Sequence, residues 1–300
     1  MPIPFGEKVV NHRGAETSIT MILRPVAITL VLGLTLLSGC SGATAMHSFS
    51  SGSSAPAVAW APTRSDTFQS QLTGTIDTST QESVYTVDGF DTGSPTIATL
   101  QERGDHVVCY VDAGTYESWR PDAAAFRAHP SVIGSTDAGW PGEYWLDIRR
   151  LDVLGPIMQA RFKLCKSKGF NAIEPDNVDG FRNETGFPLT RSDQLTYNTW
   201  LAGQAHALGM AIALKNDATQ AGALQPSFDW MVAEDCYVQG WCSALASFVN
   251  AGKVAVAIEY DDDISPTSFA ADACPAAKNA GYQTILKHRN LDAWRQPCPS

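Results

Sequence analysis

The chain has 300 residues and a formal net charge of −10, from 21 basic and 31 acidic side chains. Apolar residues make up 44% and charged ones only 17%, enough to bury a large core, which excludes a wholly disordered chain. The acidic balance argues against a nucleic-acid partner and suits a cationic one.

In chain order, residues 26–37 form an uncharged apolar run just after Arg24, too short for a comfortable membrane span. The run ends in Leu37-Ser38-Gly39-Cys40, which resembles a bacterial lipobox; translation could equally start at Met21. The expectation is an export signal over 1–39 with Cys40 as the lipidated residue, and an exported protein, membrane-anchored or extracellular. Residues 41–57 are rich in Ser, Gly and Ala and read as a flexible tether, giving boundaries of 40–62 for the tether and 63–300 for the folded domain.

Beyond Cys40, six cysteines remain, an even count that predicts disulfides in an exported protein. Cys236 and Cys242 share one loop and are the firmest pair. Cys274 and Cys298 would tie the last helix to the tail, leaving Cys109 and Cys165 as a third pair or as buried thiols. With no C-x-x-C pair, no metal site is expected.

From there the chain repeats one pattern. A helical segment stops at a glycine (Gly104, Gly169, Gly209, Gly252, Gly281), and a β-branched apolar run follows. Strands are expected at 84–87, 107–111, 144–148, 171–175, 211–215, 229–233, 254–259 and 283–287. An extra strand is expected within 68–76. Strand–helix alternation over this length predicts a single (β/α)8 barrel; an open doubly wound sheet is disfavoured because no G-x-G-x-x-G loop follows a strand.

The carboxyl ends of these strands collect polar residues: Asp88, Asp112, Asp147, Glu174 with Asp176 and Asn177, Lys215 with Asn216, Glu234, and Glu259 with Tyr260. In a barrel those ends converge on one mouth. There is no nucleophile elbow, phosphate-binding loop or H-E-x-x-H motif, and no cofactor is expected. What remains is acid–base and nucleophilic work by paired carboxylates, the chemistry of most glycosidases. Aromatics near the mouth (Tyr110, Tyr116, Trp119, Trp140, Tyr237, Tyr260) offer faces for sugar rings, or pack loops.

The stretches Tyr110–Asp122, Trp140–Arg149, Gly169–Gly180, Ala213–Asp217 and Ala233–Tyr237 resemble glycoside hydrolase family 114, over roughly residues 66–298. The resemblance implies an endo-α-1,4-polygalactosaminidase with a (β/α)8 barrel. It implies a nucleophilic or stabilising aspartate at Asp176, in Glu174-Pro175-Asp176-Asn177, and an acid/base glutamate at Glu234. The chain departs from the expected pattern at Asp112, where a small residue is usual, and at Ala233-Glu234-Asp235, where Asn-Glu-Gln is common.

The residues read alone agree. Asp176 and Glu234 end strands on either side of the one that ends in Lys215, which would keep Asp176 ionised. Glu174 shares a face with Asp176 and is its rival. Substrate contacts are expected from Asp88, Tyr110, Asp112, Asp147, Glu174, Asn177, Lys215, Asn216, Glu259 and Tyr260. The partner is a cationic galactosamine polysaccharide, met by a monomer that touches the membrane only through its lipid. A glycosidase for another α-galactoside and a non-catalytic carbohydrate-binding lipoprotein are the alternatives.

Overall fold

The computed structural model describes residues 58–299. The expected export signal, Cys40 and the tether up to residue 57 lie outside the described residues. Among the described residues no helix is long and apolar enough to cross a membrane.

The described residues contain twelve strands: β1 (Phe68–Gln71), β2 (Val84–Asp88), β3 (His106–Asp112), β4 (Thr115–Glu117), β5 (Ile133–Thr136), β6 (Glu143–Leu146), β7 (Ala172–Asp176), β8 (Ala211–Lys215), β9 (Trp230–Glu234), β10 (Ala255–Tyr260), β11 (Gln283–Lys287) and β12 (Arg295–Pro297). Eight of them run parallel in the order β1-β2-β3-β7-β8-β9-β10-β11, with β12 added antiparallel to β11. This is a nearly closed (β/α)8 barrel. At the seam, Leu72 N–H donates to the Leu291 carbonyl at 2.8 Å, Gln69 Nε2 to the Ala293 carbonyl at 2.8 Å, and Lys287 Nζ to Gln69 Oε1 at 2.8 Å.

The strand list needs one correction. The segment expected as an extra strand supplies the first barrel strand, β1, paired in parallel with β2. The segment expected at 144–148 is not a barrel strand. It forms β6, the centre of a small antiparallel sheet β4-β6-β5 inserted between β3 and β7. Hydrophobic alternation marks both as strands but does not say which sheet they join.

The period of two sorts the barrel side chains. Val84, Val108, Ala213, Val232, Val256 and Ile285 belong to the inner cluster. Their neighbours Tyr85, Val107, Ile212, Met231 and Ala257 belong to the layer beneath the helices, with Leu154, Met158, Phe162 and Leu201. The helices Leu151–Lys168 and Arg191–Ala207 are the longest. The first stops at Gly169 and the short helix Cys274–Ala280 at Gly281, with φ of 103° and 80°. That left-handed turn sends the chain straight back into a strand. The second begins with a reciprocal capping box between Thr190 and Asp193.

Residues 58–62, assigned to the tether by composition, pack against the amino ends of the strands. Trp60 stacks on His106 with ring centroids 4.1 Å apart and meets Trp230 edge-on. Among the described residues three disulfides form, Cys109–Cys165, Cys236–Cys242 and Cys274–Cys298.

Candidate active site

Three consecutive barrel strands end in the same way. The last residue of β7, β8 and β9 is Asp176, Lys215 and Glu234, and each is followed by a residue with positive φ: Asn177 (59°), Asn216 (52°) and Asp235 (54°). Asn and Asp are the side chains other than glycine that best tolerate this region. The left-handed step turns the chain sharply outward, so the preceding side chain stays aimed along the barrel axis. Strain of this kind is typical of functional sites.

The three side chains meet. Lys215 Nζ lies 3.6 Å from Asp176 Oδ1, 3.4 Å from Glu234 Oε1 and 3.2 Å from Glu174 Oε1. The lysine side chain is only 3% exposed. Burial alone would strip its proton, but Asp176, Glu234 and Glu174 overcome that and hold its pKa above the ordinary lysine value. The two outer carboxylates each receive a tyrosine. Tyr110 Oη donates to Asp176 Oδ2 at 2.9 Å, and Tyr260 Oη to Glu234 Oε1 at 2.5 Å. Burial, followed by the nearby carboxylates, pushes both phenols well above their usual pKa, so they stay protonated donors. Asn216 fixes Glu234 from two sides: its Oδ1 accepts from the Glu234 amide at 2.9 Å and its Nδ2 approaches Glu234 Oε2 at 3.4 Å.

Glu174 sits one layer deeper. It takes the Thr86 hydroxyl at 3.1 Å and the Lys215 ammonium. Its pKa is raised, first by burial and in part by Asp176 and Glu234, against the pull of Lys215. Asp112 accepts from Thr115 N at 2.7 Å and from Asn177 Nδ2 at 2.7 Å, and so braces the β3 loop against β7. Gly114 makes that contact possible, because a Cβ there would fall 1.7 Å from the Asn177 carbonyl oxygen.

Three expected contact residues lie elsewhere. Asp88, at the end of β2, pairs with Arg120 at 2.6 Å and accepts the amides of Phe90 and Asp91 at 2.8 Å. Asp147 follows β6 in the small sheet and pairs with Arg149 at 2.7 Å. Glu259 is out of phase with Tyr260: it points through the barrel wall and accepts the amides of Tyr237 at 2.8 Å and Val238 at 3.3 Å. An apolar cavity of about 340 Å³ lined by Cys236, Tyr237, Cys242, Ala246 and Tyr282 shares none of the clustered carboxylates.

The sequence reading did not single out Arg289, just past β11. Its guanidinium lies 4.2 Å from the Tyr260 ring centroid and pairs with Asp235 at 3.0 Å and Asp262 at 2.7 Å. It also did not single out Arg120 or Thr86. For Arg289 the available signal was a cation two residues past the end of β11.

A parallel barrel whose mouth aims two carboxylates at one buried cation has the architecture and donor set of a carbohydrate hydrolase. The model of glycoside-hydrolase family GH114 matches residues 50–300, and the chain belongs to that family; it is a glycoside hydrolase. Among solved structures, Ega3 from Aspergillus fumigatus, determined in complex with galactosamine, is 34% identical with a TM-score of 0.76, covering 82% of this chain and 100% of that one. The glycoside hydrolase domain of PelA from Pseudomonas aeruginosa shares the fold at 13% identity and a TM-score of 0.59, covering 78% of this chain and 98% of that one. No curated protein matches the chain.

Proposed function

We propose that this hydrolase is an endo-glycosidase for α-1,4-linked galactosamine-containing polysaccharide, with Asp176 as nucleophile and Glu234 as acid/base. The observation that carries the reading is the single Lys215 ammonium contacted by both carboxylates, at 3.6 and 3.4 Å. These two legs bound the separation of the nearest oxygens at 7.0 Å. That bound accommodates the separation of about 5–5.5 Å of a retaining pair.

In the first step an Asp176 oxygen bonds to the anomeric carbon. The bond from that carbon to the bridging oxygen breaks, its electron pair stays on the oxygen, and Glu234 supplies the proton. In the second step water attacks the anomeric carbon, gives its proton to Glu234 and releases Asp176 as a carboxylate. Lys215 and Tyr110 favour the ionised Asp176 that the first step needs. Glu234 is the longer and more exposed of the pair, with 17% of its side chain accessible against 11% for Asp176, which suits reach toward a leaving oxygen.

Substrate choice rests on charge. Free galactosamine units carry an ammonium, and the loops after β9 and β10 add three carboxylates, Asp235, Asp262 and Asp263, around the one Arg289. The likeness to a structure holding galactosamine supports the same choice. Three disulfides fit an exported protein, and we extend the proposal to lipid anchoring at Cys40.

The test is release of reducing ends from partly deacetylated α-1,4-galactosamine polymer, compared with neutral galactans. Preference for the cationic polymer is expected. Asp176→Asn and Glu234→Gln should each cost at least about a hundredfold in rate. Equal rates on neutral galactan would remove the substrate assignment, and a near-parental rate in either folded variant would remove that residue from its role. Cys40→Ala should abolish membrane retention; unchanged retention with normal N-terminal cleavage would rule out the anchor.

A further inference from the structure

The mechanism above uses Asp176, Glu234 and Lys215 but gives no task to Glu174, the carboxylate nearest to the lysine. Its side chain is 3% exposed, and its two oxygens are taken by Lys215 at 3.2 Å and Thr86 at 3.1 Å. It therefore has little surface left for a sugar.

Charge moves during the proposed reaction. Asp176 loses its negative charge when it bonds to the anomeric carbon, and Glu234 gains one when it yields its proton. The transfer passes across Lys215, which lies almost equally far from the two carboxylates. A mobile lysine would follow the charge and lock onto whichever carboxylate was ionised.

We propose that Glu174 is a positioning residue that pins the Lys215 ammonium midway between Asp176 and Glu234 and offsets its charge, so that the lysine serves both carboxylates as charge passes from one to the other. This rests on the assignment of Asp176 and Glu234 made above. Thr86 on β2 fixes the Glu174 carboxylate from the far side, and Lys215 pairs in register with Val232, so that Glu234 follows two residues further along β9. The other titratable and charged groups facing this cluster are Tyr110 and Asp112 from β3, Asp176 from β7 itself, Asp235 just after β9, Tyr260 from β10, and Arg289 just after β11, which pairs with Asp235 and covers the Tyr260 ring. Both tyrosines act as protonated donors, and Asp112 is spent on Thr115 and Asn177. Among the described residues Lys215 is the cation that bridges the three carboxylates, and Glu174 is its closest partner.

The sign of the effect follows. Removing the Glu174 charge leaves Lys215 free to favour ionised Glu234, so the acid loses its proton at lower pH. The alkaline limb of the kcat/KM profile of Glu174→Gln should therefore move down by about one pH unit, the lower end of the usual effect of a neighbouring charge. Its kcat should fall at least tenfold with KM within twofold of the parent. Lys215→Met should move the limb the other way. The double variant Glu174→Gln/Lys215→Met removes both buried charges together and should bring the limb back toward the parent.

The measurement is the pH–rate profile of the folded variants on whichever galactosamine polymer or oligosaccharide the parent cleaves, paired with 13C NMR titration of labelled glutamate carboxyls without substrate. The NMR readout separates the two ideas: a parent inactive on galactosamine polymer would sink the substrate assignment and leave the Glu234 titration to be measured. A Glu174→Gln profile superimposable on the parent's, or a rise in KM alone, would overturn the positioning role. So would a double variant whose limb is displaced as far as that of Lys215→Met, which is the decisive comparison if the single glutamine variant does not fold.

Discussion

Arg289 covers the ring of Tyr260 at 4.2 Å while the hydroxyl of that same tyrosine donates to Glu234 at 2.5 Å. The arginine is itself held by Asp235, the residue after Glu234. A closed circuit thus runs from Glu234 through Tyr260 and Arg289 back to the neighbour of Glu234. Tyr260→Phe removes the hydrogen bond and keeps the stack. A hydrogen bond to a charged group contributes about 1.5–3 kcal/mol, so the proposed acid should lose about tenfold or more in kcat/KM with little change in folding. Arg289→Leu removes the stack and strands Asp235, so it should cost both rate and thermal stability. Steady-state kinetics and thermal melts on the two variants would check this; equal kinetics for Tyr260→Phe and the parent would contradict it.

The disulfides should differ in worth. Cys109–Cys165 ties β3 to the helix Leu151–Lys168 across 56 residues, whereas Cys236–Cys242 spans 6. On the chain-entropy account the long loop contributes about 4 kcal/mol and the short one about 2. Both Cys109 and Cys165 are fully buried, so mild reductant should spare them in the native state. Denaturant unfolding of the paired Cys→Ala variants should show the larger loss for Cys109/Cys165. The reverse order would place the value of the short bridge in the geometry of the β9 loop.

The repeating glycine stop followed by a β-branched run was readable because it is local: left-handed helix ends and buried strands leave marks within a few residues. The carboxylate cluster was readable because strand ends in a barrel must converge. What sequence could not give was phase and sheet membership. Glu259 and Tyr260 are neighbours with similar strand-end credentials, yet one faces the β9 loop and the other Glu234. A one-residue step decides this, and two bulky residues in a fully buried strand leave no polar alternation to read. Asp147 failed to reach the mouth for a different reason. Its strand joins the inserted sheet, a tertiary choice that local pattern does not encode.

Buried carboxylates set the pH dependence of stability. Burial pushes Glu259 and Glu117 up to about 7, and Asp235 up to about 6, against the hydrogen bonds or ion pairs that favour their ionised forms. Between the ordinary values, 4.5 for the glutamates and 3.8 for Asp235, and these raised values, the folded state holds protons that the unfolded state has released. Stability from these groups is therefore full below pH 3.8 and is lost as pH rises to about 7. The melting temperature should fall over that window. Lys287 acts in the other direction. Burial lowers it from 10.5 to about 7, so its cost is relieved as pH climbs from 7 toward 10.5. Glu259→Gln, which keeps an acceptor for the Tyr237 amide, should flatten the acid-side decline. A parent whose melting temperature rises from pH 4.5 to 7 would contradict this assignment.

The left-handed residues after β7, β8 and β9 allow a cleaner separation of backbone from side chain. Asn216, at φ 52°, accepts the Glu234 amide and reaches the Glu234 carboxylate. Asn216→Gly removes both side-chain interactions but suits the left-handed backbone. Asn216→Ala removes the same interactions but keeps the Cβ, whose steric cost in this region is about 1–2 kcal/mol relative to glycine. If the residue serves mainly to shape the turn, alanine should destabilise the fold by about 1 kcal/mol more than glycine, and glycine should retain most of the parental rate. If its grip on Glu234 matters as much, both variants should lose about tenfold in kcat, the scale of a hydrogen bond to a charged group, and differ only in stability. The double contact to Glu234 leads us to expect the second pattern. Denaturant melts and kcat for the pair would resolve it, and a glycine variant with parental kcat would show that the strand ends are set by backbone conformation alone.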